Sequence, residues 1–292
     1  MRWHARVRRS ARVGRVSTAL ITGASTGIGR ATVLRLAASG WTVLAGVRKS
    51  ADGEALTAAG GERVLPVELD VTDTAQIAQA AERVNEIAPG GLDALVNNAG
   101  SAVGGPLELL PLDDLRHQFD VNFFGHVAVT QALIPALRRA HGRIVLISSV
   151  GGLVTTPYLL PYHASKYALE AVGNALRLEL VCSHIQVALI EPGSVATPIW
   201  EKNRGQVDDI SVPEELRKQY GHVPAAMAKT LHNTARRGIP PERVAQTIER
   251  ALSARRMRAR YIVGRDAHVM VWASRLLPDL VFDRVIRRAV GV

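Results

Sequence analysis

The sequence predicts an α/β protein, a single domain in which a doubly wound parallel sheet is wrapped by helices. Short apolar runs alternate with longer helical segments along most of the chain. A glycine-rich turn joins the first apolar run to the first helix. The length, 292 residues, suffices for one large domain with its own core.

The elements follow in order. Residues 16–22 read as a strand, 27–39 as a helix and 41–46 as a strand. A helix around 52–59 leads to a strand at 63–67, a helix at 74–87 and a strand at 93–97. Residues 112–138 read as one long helix, followed by a strand at 143–148, a helix at 161–181 and a strand at 186–190. Alternation at this spacing implies βαβ units, and right-handed crossovers wind them on both faces of one sheet. After Glu191-Pro192-Gly193 the rhythm breaks, and 194–238 read as irregular. A helix at 241–255 and a short strand at 261–263 resume the fold. From 267 to 290 the chain is apolar and basic at helical spacing, a C-terminal helical tail.

Hydrophobic residues make up 47% of the chain, which argues for a globular fold. No run approaches the roughly 18 apolar residues a spanning helix needs. One cysteine, Cys182, excludes an intrachain disulfide and suits a reducing cytoplasm. The net charge of +10 sits at the ends. Residues 1–15 hold six arginines and no acid, and residues 254–292 hold nine arginines against three aspartates, so the stretch between is close to neutral. A neutral central domain argues against a nucleic-acid enzyme, while basic ends leave peripheral contact with anionic lipid open. Residues 1–15 lack the apolar segment of a secretory signal and read as a disordered basic arm, with a transit peptide or lipid-binding arm as alternatives. The histidines show no metal-ligand spacing, and no metal is expected.

The first strand runs into T-G-A-S-T-G-I-G, Thr22 to Gly29, and then a helix. Gly23 permits a tight turn, Gly27 lets backbone N–H groups approach a pyrophosphate, and Gly29 lets the helix pack close to the sheet. The helix N-terminus adds partial positive charge. Taken alone, such a turn is also an ordinary strand-to-helix connection. Here it is similar to the cofactor loop of the short-chain dehydrogenase/reductase family, in its single-domain branch with a Rossmann fold. The similarity covers roughly residues 17–265, and further motifs recur in the family's order. These are L-D-V-T-D with Asp70 and Val71, N-N-A-G with Asn97, Asn98, Ala99 and Gly100, D-V-N with Asn122, Ser148-Ser149, Y-H-A-S-K, and Pro192-Gly193. The resemblance implies that Ser25, Thr26 and Ile28 join the glycines at the cofactor. It also implies that Asp70 and Val71 meet the adenine and that Asn98 to Gly100 form a sheet-end turn beside the dinucleotide.

An acid at the end of the second strand would favour NAD by bonding the ribose 2′-hydroxyl. The strand instead ends Ala45-Gly46-Val47-Arg48-Lys49. A 2′-phosphate carries about two negative charges, and an arginine can meet it bidentately. Arg48 thus points to NADP, with NAD the alternative, because Thr26 stands where the family's second NADP signal would be basic.

Tyr162 and Lys166 stand four apart in a helical segment and share a face. Free tyrosine titrates near 10, so acid/base work near neutrality needs a lowering of roughly 3 units, about 4 kcal/mol. A nearby ammonium is expected to supply much of it. By resemblance, Tyr162 is the acid/base, Ser149 bonds the substrate oxygen and the phenol, Lys166 also holds the nicotinamide ribose, and Asn122 steadies a relay water. Pro192-Gly193, the backbone of Val195 and the hydroxyl of Thr197 would hold the carboxamide. His163 is expected to point off the active face.

The resemblance places a substrate lid at about 194–238, within a domain spanning 16–265 and followed by a tail at 266–292. Ile199, Trp200, Tyr220, Met227 and Leu231, with Leu153, Val154, Tyr158 and Leu159, are candidate apolar contacts. Few charges are available to grip an acidic substrate, so an apolar alcohol or ketone is expected. The stretches around Y-H-A-S-K-Y-A-L-E and R-Y-I-V-G-R-D-A are similar to the 17β-hydroxysteroid and retinol dehydrogenase branch, which implies a steroid, retinoid or lipid-like substrate. The tail reads as core or subunit contact first and membrane contact second, and a homodimer or tetramer is expected. A non-catalytic NADP sensor is the alternative class. A longer-branch epimerase or dehydratase does not match, since its glycine spacing and larger C-terminal domain are both missing.

Overall fold

The computed structural model describes residues 16–199 and 212–290. Seven parallel strands form one sheet in the order β3-β2-β1-β4-β5-β6-β7. They are β1 (Thr18–Ile21), β2 (Thr42–Val47), β3 (Val64–Glu68), β4 (Ala94–Asn97), β5 (Arg143–Ile147), β6 (Gln186–Pro192) and β7 (Arg260–Val263). The central strands are buried throughout and apolar except at their ends, at Thr18, Asn97 and Arg143, because helices cover both faces of a parallel sheet. Alternation along β1 sorts the cores. Ala19 and Ile21 pack with Val33 and Leu36 of α1 (Gly27–Ala38) and with Val244, Ile248 and Leu252 of α8 (Pro241–Ser253). Leu20 faces the other way, toward Ile77 and Val84 of α3 (Thr74–Ile87), Leu133 and Leu137 of α5 (Gly125–Ala140), and Leu169 of α6 (Leu160–Glu179). The second helix, α2 (Ser50–Gly60), lies between β2 and β3.

The structure refines two sequence readings and corrects one. The long helix expected at 112–138 is α4 (Leu112–Phe119) joined to α5 by a π turn at Asp120–Phe124. The segments on both sides are helical, and the extra residue of a π turn has no local sequence signal. Second, the stretch expected to be irregular contains a 15-residue helix, α7 (Val223–Arg237). Its polar threonines interrupt the apolar stripe that would have announced it. Third, the tail is two helices, α9 (Arg265–Leu276) and α10 (Asp279–Val290), broken at Pro278. The N-terminal arm and Trp200 lie outside the described residues.

Arg143, the first residue of β5, is 1% exposed. Its guanidinium donates to the carbonyls of Ala251 (2.8 Å), Leu252 (2.6 Å) and Ala254 (2.5 Å), closing the C-terminal end of α8. These carbonyls would otherwise be orphaned in the interior, and the cation also meets the negative end of the helix dipole.

Candidate active site

β1 and β4 are neighbours, and the connections leave them in opposite directions across the sheet. A crevice opens at their carboxyl ends, the usual ligand site of open α/β sheets. It holds a cavity of about 550 Å³. One end is the glycine turn. Gly23 (φ +61°) and Gly27 (φ +55°) occupy left-handed backbone, and a Cβ on Gly23 would stand 2.7 Å from the Ala99 Cα. Thr26 provides no side-chain cap to α1, so the first N–H groups of that helix remain for an anion. Ser25 and Ile28 also line the cavity. Gly29 does not. It sits behind the turn, where a Cβ would stand 2.2 Å from the Gly23 carbonyl oxygen, which explains why the helix can pack so close.

The N-N-A-G segment is knitted to this turn. The Asn98 side-chain amide donates to the carbonyls of Thr22 and Gly23, both at 3.0 Å, while the Thr22 hydroxyl accepts from the backbone N–H groups of Asn98 and Ala99, both at 2.9 Å. Asn98, Ala99 and Gly100 line the cavity, and Asn97 is buried beneath them. At the β2 end, Arg48 and Asp70 line the wall with Val71, their charged groups 3.9 Å apart. Burial alone would raise the Asp70 carboxyl. Hydrogen bonds from the Thr72 N–H (2.9 Å) and hydroxyl (2.7 Å), with the Arg48 and His117 charges, outweigh burial and hold it below the usual carboxylate range.

The opposite end gathers the catalytic candidates. Ser149, just past β5, accepts from the Gly151 N–H at 3.0 Å and shares a side-chain hydrogen bond with Tyr162. The Lys166 ammonium lies 5.8 Å from the Tyr162 ring centroid and donates to the Ile147 carbonyl at 2.9 Å. Burial lowers Lys166 to about 8, with Glu170 opposing. The expected acidified phenol is not found. Burial raises Tyr162 above its ordinary value, with the Ser149 hydrogen bond opposing. Pro192 at the end of β6 and Gly193, Val195 and Thr197 beyond it line the wall.

Asn122 lies in the π turn, fully buried, and does not line the cavity. Its Nδ2 donates to the Ser101 carbonyl and the Ser165 hydroxyl, both at 3.1 Å, and its Oδ1 accepts from the Ser101 N–H at 2.9 Å. It ties the loop after β4 to α6. Two residues that sequence reasoning missed assist it. Gln118 accepts from the Val103 N–H (2.6 Å) and donates to the Ser101 carbonyl (2.8 Å). His126, lowered to about 3 by burial and by the Lys166 charge, is neutral and donates from Nε2 to the Ala99 carbonyl at 2.6 Å. Neither pairing has a local sequence signal. His163 is also corrected, since it borders the cavity. Nδ1 donates to the Gly151 carbonyl (2.9 Å) and Nε2 accepts from the Thr156 N–H (3.2 Å), so the ring braces the loop that carries Ser149.

Of the expected apolar contacts, Val154, Leu159 and Ile199 reach the cavity, where Thr156, Thr230, Thr234, Met270 and Val290 also line the wall. Leu153, Tyr158, Tyr220 and Met227 do not line it. Tyr158, Tyr220 and Met227 form a small cluster behind the wall with Val223 and Leu159. The side chain of Leu231 lies outside the described residues. Among the described residues no cluster of three or more histidine, cysteine or acidic side chains is placed to hold a metal, and no helix is long and apolar enough to cross a membrane.

A doubly wound sheet with an open glycine turn and a Tyr–Lys–Ser group in one crevice defines an oxidoreductase of the dinucleotide-dependent class. The short chain dehydrogenase family model matches residues 17–208, and the chain belongs to that family. It is 34% identical over 273 residues to an NADPH-dependent 3-dehydrocapnine reductase of Ornithobacterium rhinotracheale, covering 91% of this chain and 95% of that one. It is also 34% identical over 284 residues to the estradiol 17-beta-dehydrogenase 2 of Mus musculus, covering 92% and 74%. Among solved structures, a short-chain dehydrogenase from Streptomyces avermitilis superposes with a TM-score of 0.75 at 28% identity, covering 95% of this chain and 96% of that one.

Proposed function

We propose that the chain is an NADP-dependent oxidoreductase that interconverts an alcohol and a ketone on an apolar, lipid-like substrate, with Tyr162 as the acid/base. The observation that carries this is the convergence of Tyr162, Ser149 and Lys166 on the same cavity as the open glycine turn. The residues present fit a dinucleotide. The turn from Gly23 to Ile28 and the uncapped α1 would take the diphosphate, and Arg48 the 2′-phosphate. Asp70 and Val71 would meet the adenine, Asn98 to Gly100 would lie along the dinucleotide, and Lys166 would hold the ribose. Pro192, Gly193, Val195 and Thr197 would take the carboxamide. The similarity to an NADPH-dependent reductase of Ornithobacterium rhinotracheale supports the choice of NADP.

The cofactor, when bound, supplies or accepts the hydride. Ser149 bonds the substrate oxygen and fixes its distance to the phenol. A phenol kept protonated by burial is ready to give its proton to a forming alkoxide in reduction, and the phenolate takes it back in oxidation. Lys166 keeps a positive charge beside the phenolate that remains. Asn122 and Gln118 hold the loop after β4 in place. Apolar Val154, Leu159, Ile199 and Met270 exclude water from the reacting end.

The test is NADPH oxidation with a panel of apolar ketones. Tyr162→Phe is expected to lose roughly 10²–10⁴-fold in turnover while still binding NADPH. Unchanged turnover in that variant rejects the reading, and binding without turnover in the wild type favours a sensor. An apolar substrate is naturally delivered from a lipid surface. Val269, Trp272 and Leu276 lie exposed on one face of α9 beside cavity-lining Met270, with Arg265 and Arg275 on the same helix. Sedimentation with anionic but not zwitterionic vesicles, lost in Trp272→Glu, is expected. The exposed Phe124, Tyr167, Leu178 and Val181 support a homodimer, to be checked by light scattering.

A further inference from the structure

Behind Lys166 lies a buried charge cluster that the proposed reaction does not use. Glu170 follows Lys166 by one turn of α6 and is 5% exposed. Arg260 of β7 reaches Glu170 and, at 2.5 Å, fully buried Glu191 of β6 with the same guanidinium nitrogen, while its other terminal nitrogen donates to Asn174 at 3.3 Å. One arginine cannot neutralise two buried carboxylates. Each acid also keeps one buried oxygen, Oε1 of Glu170 and Oε2 of Glu191, without a hydrogen-bond partner. Two orphaned oxygens on neighbouring acids call for one shared proton.

We propose that Glu170 is a positioning residue whose carboxylate, anchored by Arg260, keeps the Lys166 ammonium charged beside Tyr162. Burial and the Glu170 charge raise Glu191 to about 7 against the pull of Arg260, so the two acids compete for one guanidinium. The other groups facing the ammonium offer no counter-charge. Tyr162 is a protonated phenol on the same helix, and His126 of α5 is neutral. Arg260 is a cation on the far side of Glu170, and its pull is shared between both acids. Glu170 is therefore the anion that holds a proton on a buried lysine.

The inference rests on the acid/base reading of Tyr162 and Lys166, and the two fail separately. If Tyr162→Phe keeps its turnover, that reading falls whatever Glu170 does. If Tyr162→Phe is inactive, the Glu170 variants decide the rest. The measurement is kcat/KM for NADPH-dependent reduction, and the NADPH dissociation constant by nucleotide fluorescence, from pH 6 to 10. The wild-type alkaline limb is expected near the Lys166 value of about 8. Glu170→Gln is expected to move it down by about 1 pH unit and to weaken NADPH binding over the same shifted range. Glu170→Asp, which keeps the charge, is expected to restore the wild-type limb. Thermal unfolding of both variants checks folding. A uniform loss of activity with the limb unmoved in Glu170→Gln, or the same displaced limb in Glu170→Asp, would overturn the proposal.

Discussion

Replacing Glu191 with glutamine should change how stability depends on pH. Glu191 is fully buried, and its carboxyl is raised from 4.5 to about 7 by burial and by Glu170. A raised acid holds its proton in the folded state over a range where the unfolded chain has released it. Stability is therefore lost as pH rises from about 4.5 to about 7, and the gap corresponds to about 3 kcal/mol. Glutamine cannot titrate, and its amide can donate across the contact that the proton occupies. Below pH 5 wild type and Glu191→Gln should unfold at similar temperatures. Above pH 7.5 the variant should be the more stable by about 3 kcal/mol, or roughly 6–12 °C in Tm. His126, lowered to about 3, stabilises the fold increasingly as pH rises toward 6.5, but it does so in both proteins and cancels in the difference. The assay is thermal unfolding by circular dichroism from pH 4.5 to 8.5 at constant ionic strength. A difference in Tm that stays constant with pH would refute the reasoning. A variant that becomes relatively weaker above pH 7 would show Glu191 acting as an ionised partner of Arg260.

Arg48→Ala should raise the KM for NADPH about tenfold and leave that for NADH nearly unchanged, because one exposed guanidinium is lost from the 2′-phosphate; equal effects on both would remove Arg48 from cofactor choice. In Gly29→Ala, the usual gain of about 0.5–1 kcal/mol for alanine in a helix should reverse, since the new Cβ meets the Gly23 carbonyl oxygen at 2.2 Å; a lower Tm and lost NADPH binding are expected, read by thermal shift with and without nucleotide. Arg143→Met should cost roughly 2–4 kcal/mol in denaturant unfolding by orphaning the last carbonyls of α8; a smaller loss would mean that water or neighbouring donors replace the guanidinium.

Much of this architecture was legible in the sequence because burial on both faces writes itself as continuous apolar runs. T-A-L-I, A-L-V-N and R-I-V-L-I could hardly be anything but central strands. Tyr162 and Lys166 were legible because four residues make nearly one helical turn, and the glycine loop because its conformations exclude other side chains. What stayed hidden was tertiary. Arg260 meets Glu170 and Glu191 across 90 and 69 residues of chain, and no local pattern marks such a pairing. The low value of His126 comes from the interior around it. The phenol ran opposite to expectation, since sequence spacing reveals a neighbouring cation but not the burial that outweighs it. Helix α7 escaped because Thr230 and Thr234 break the apolar stripe that Val223 and Met227 begin.

The π turn at Asp120–Phe124 carries a consequence for how this chain can vary. Gln118, Asn122 and His126 stand at intervals of four, and each grips the segment from Ala99 to Val103. In a regular α-helix such a series drifts about 40° per step, while the wider turn brings it back into line. Removing one residue there would swing α4 by about 100° about its axis. Among natural or evolved variants, this stretch should accept changes of residue while its length stays fixed, and a library of single-residue deletions should show a gap in survivors between Phe119 and Gly125.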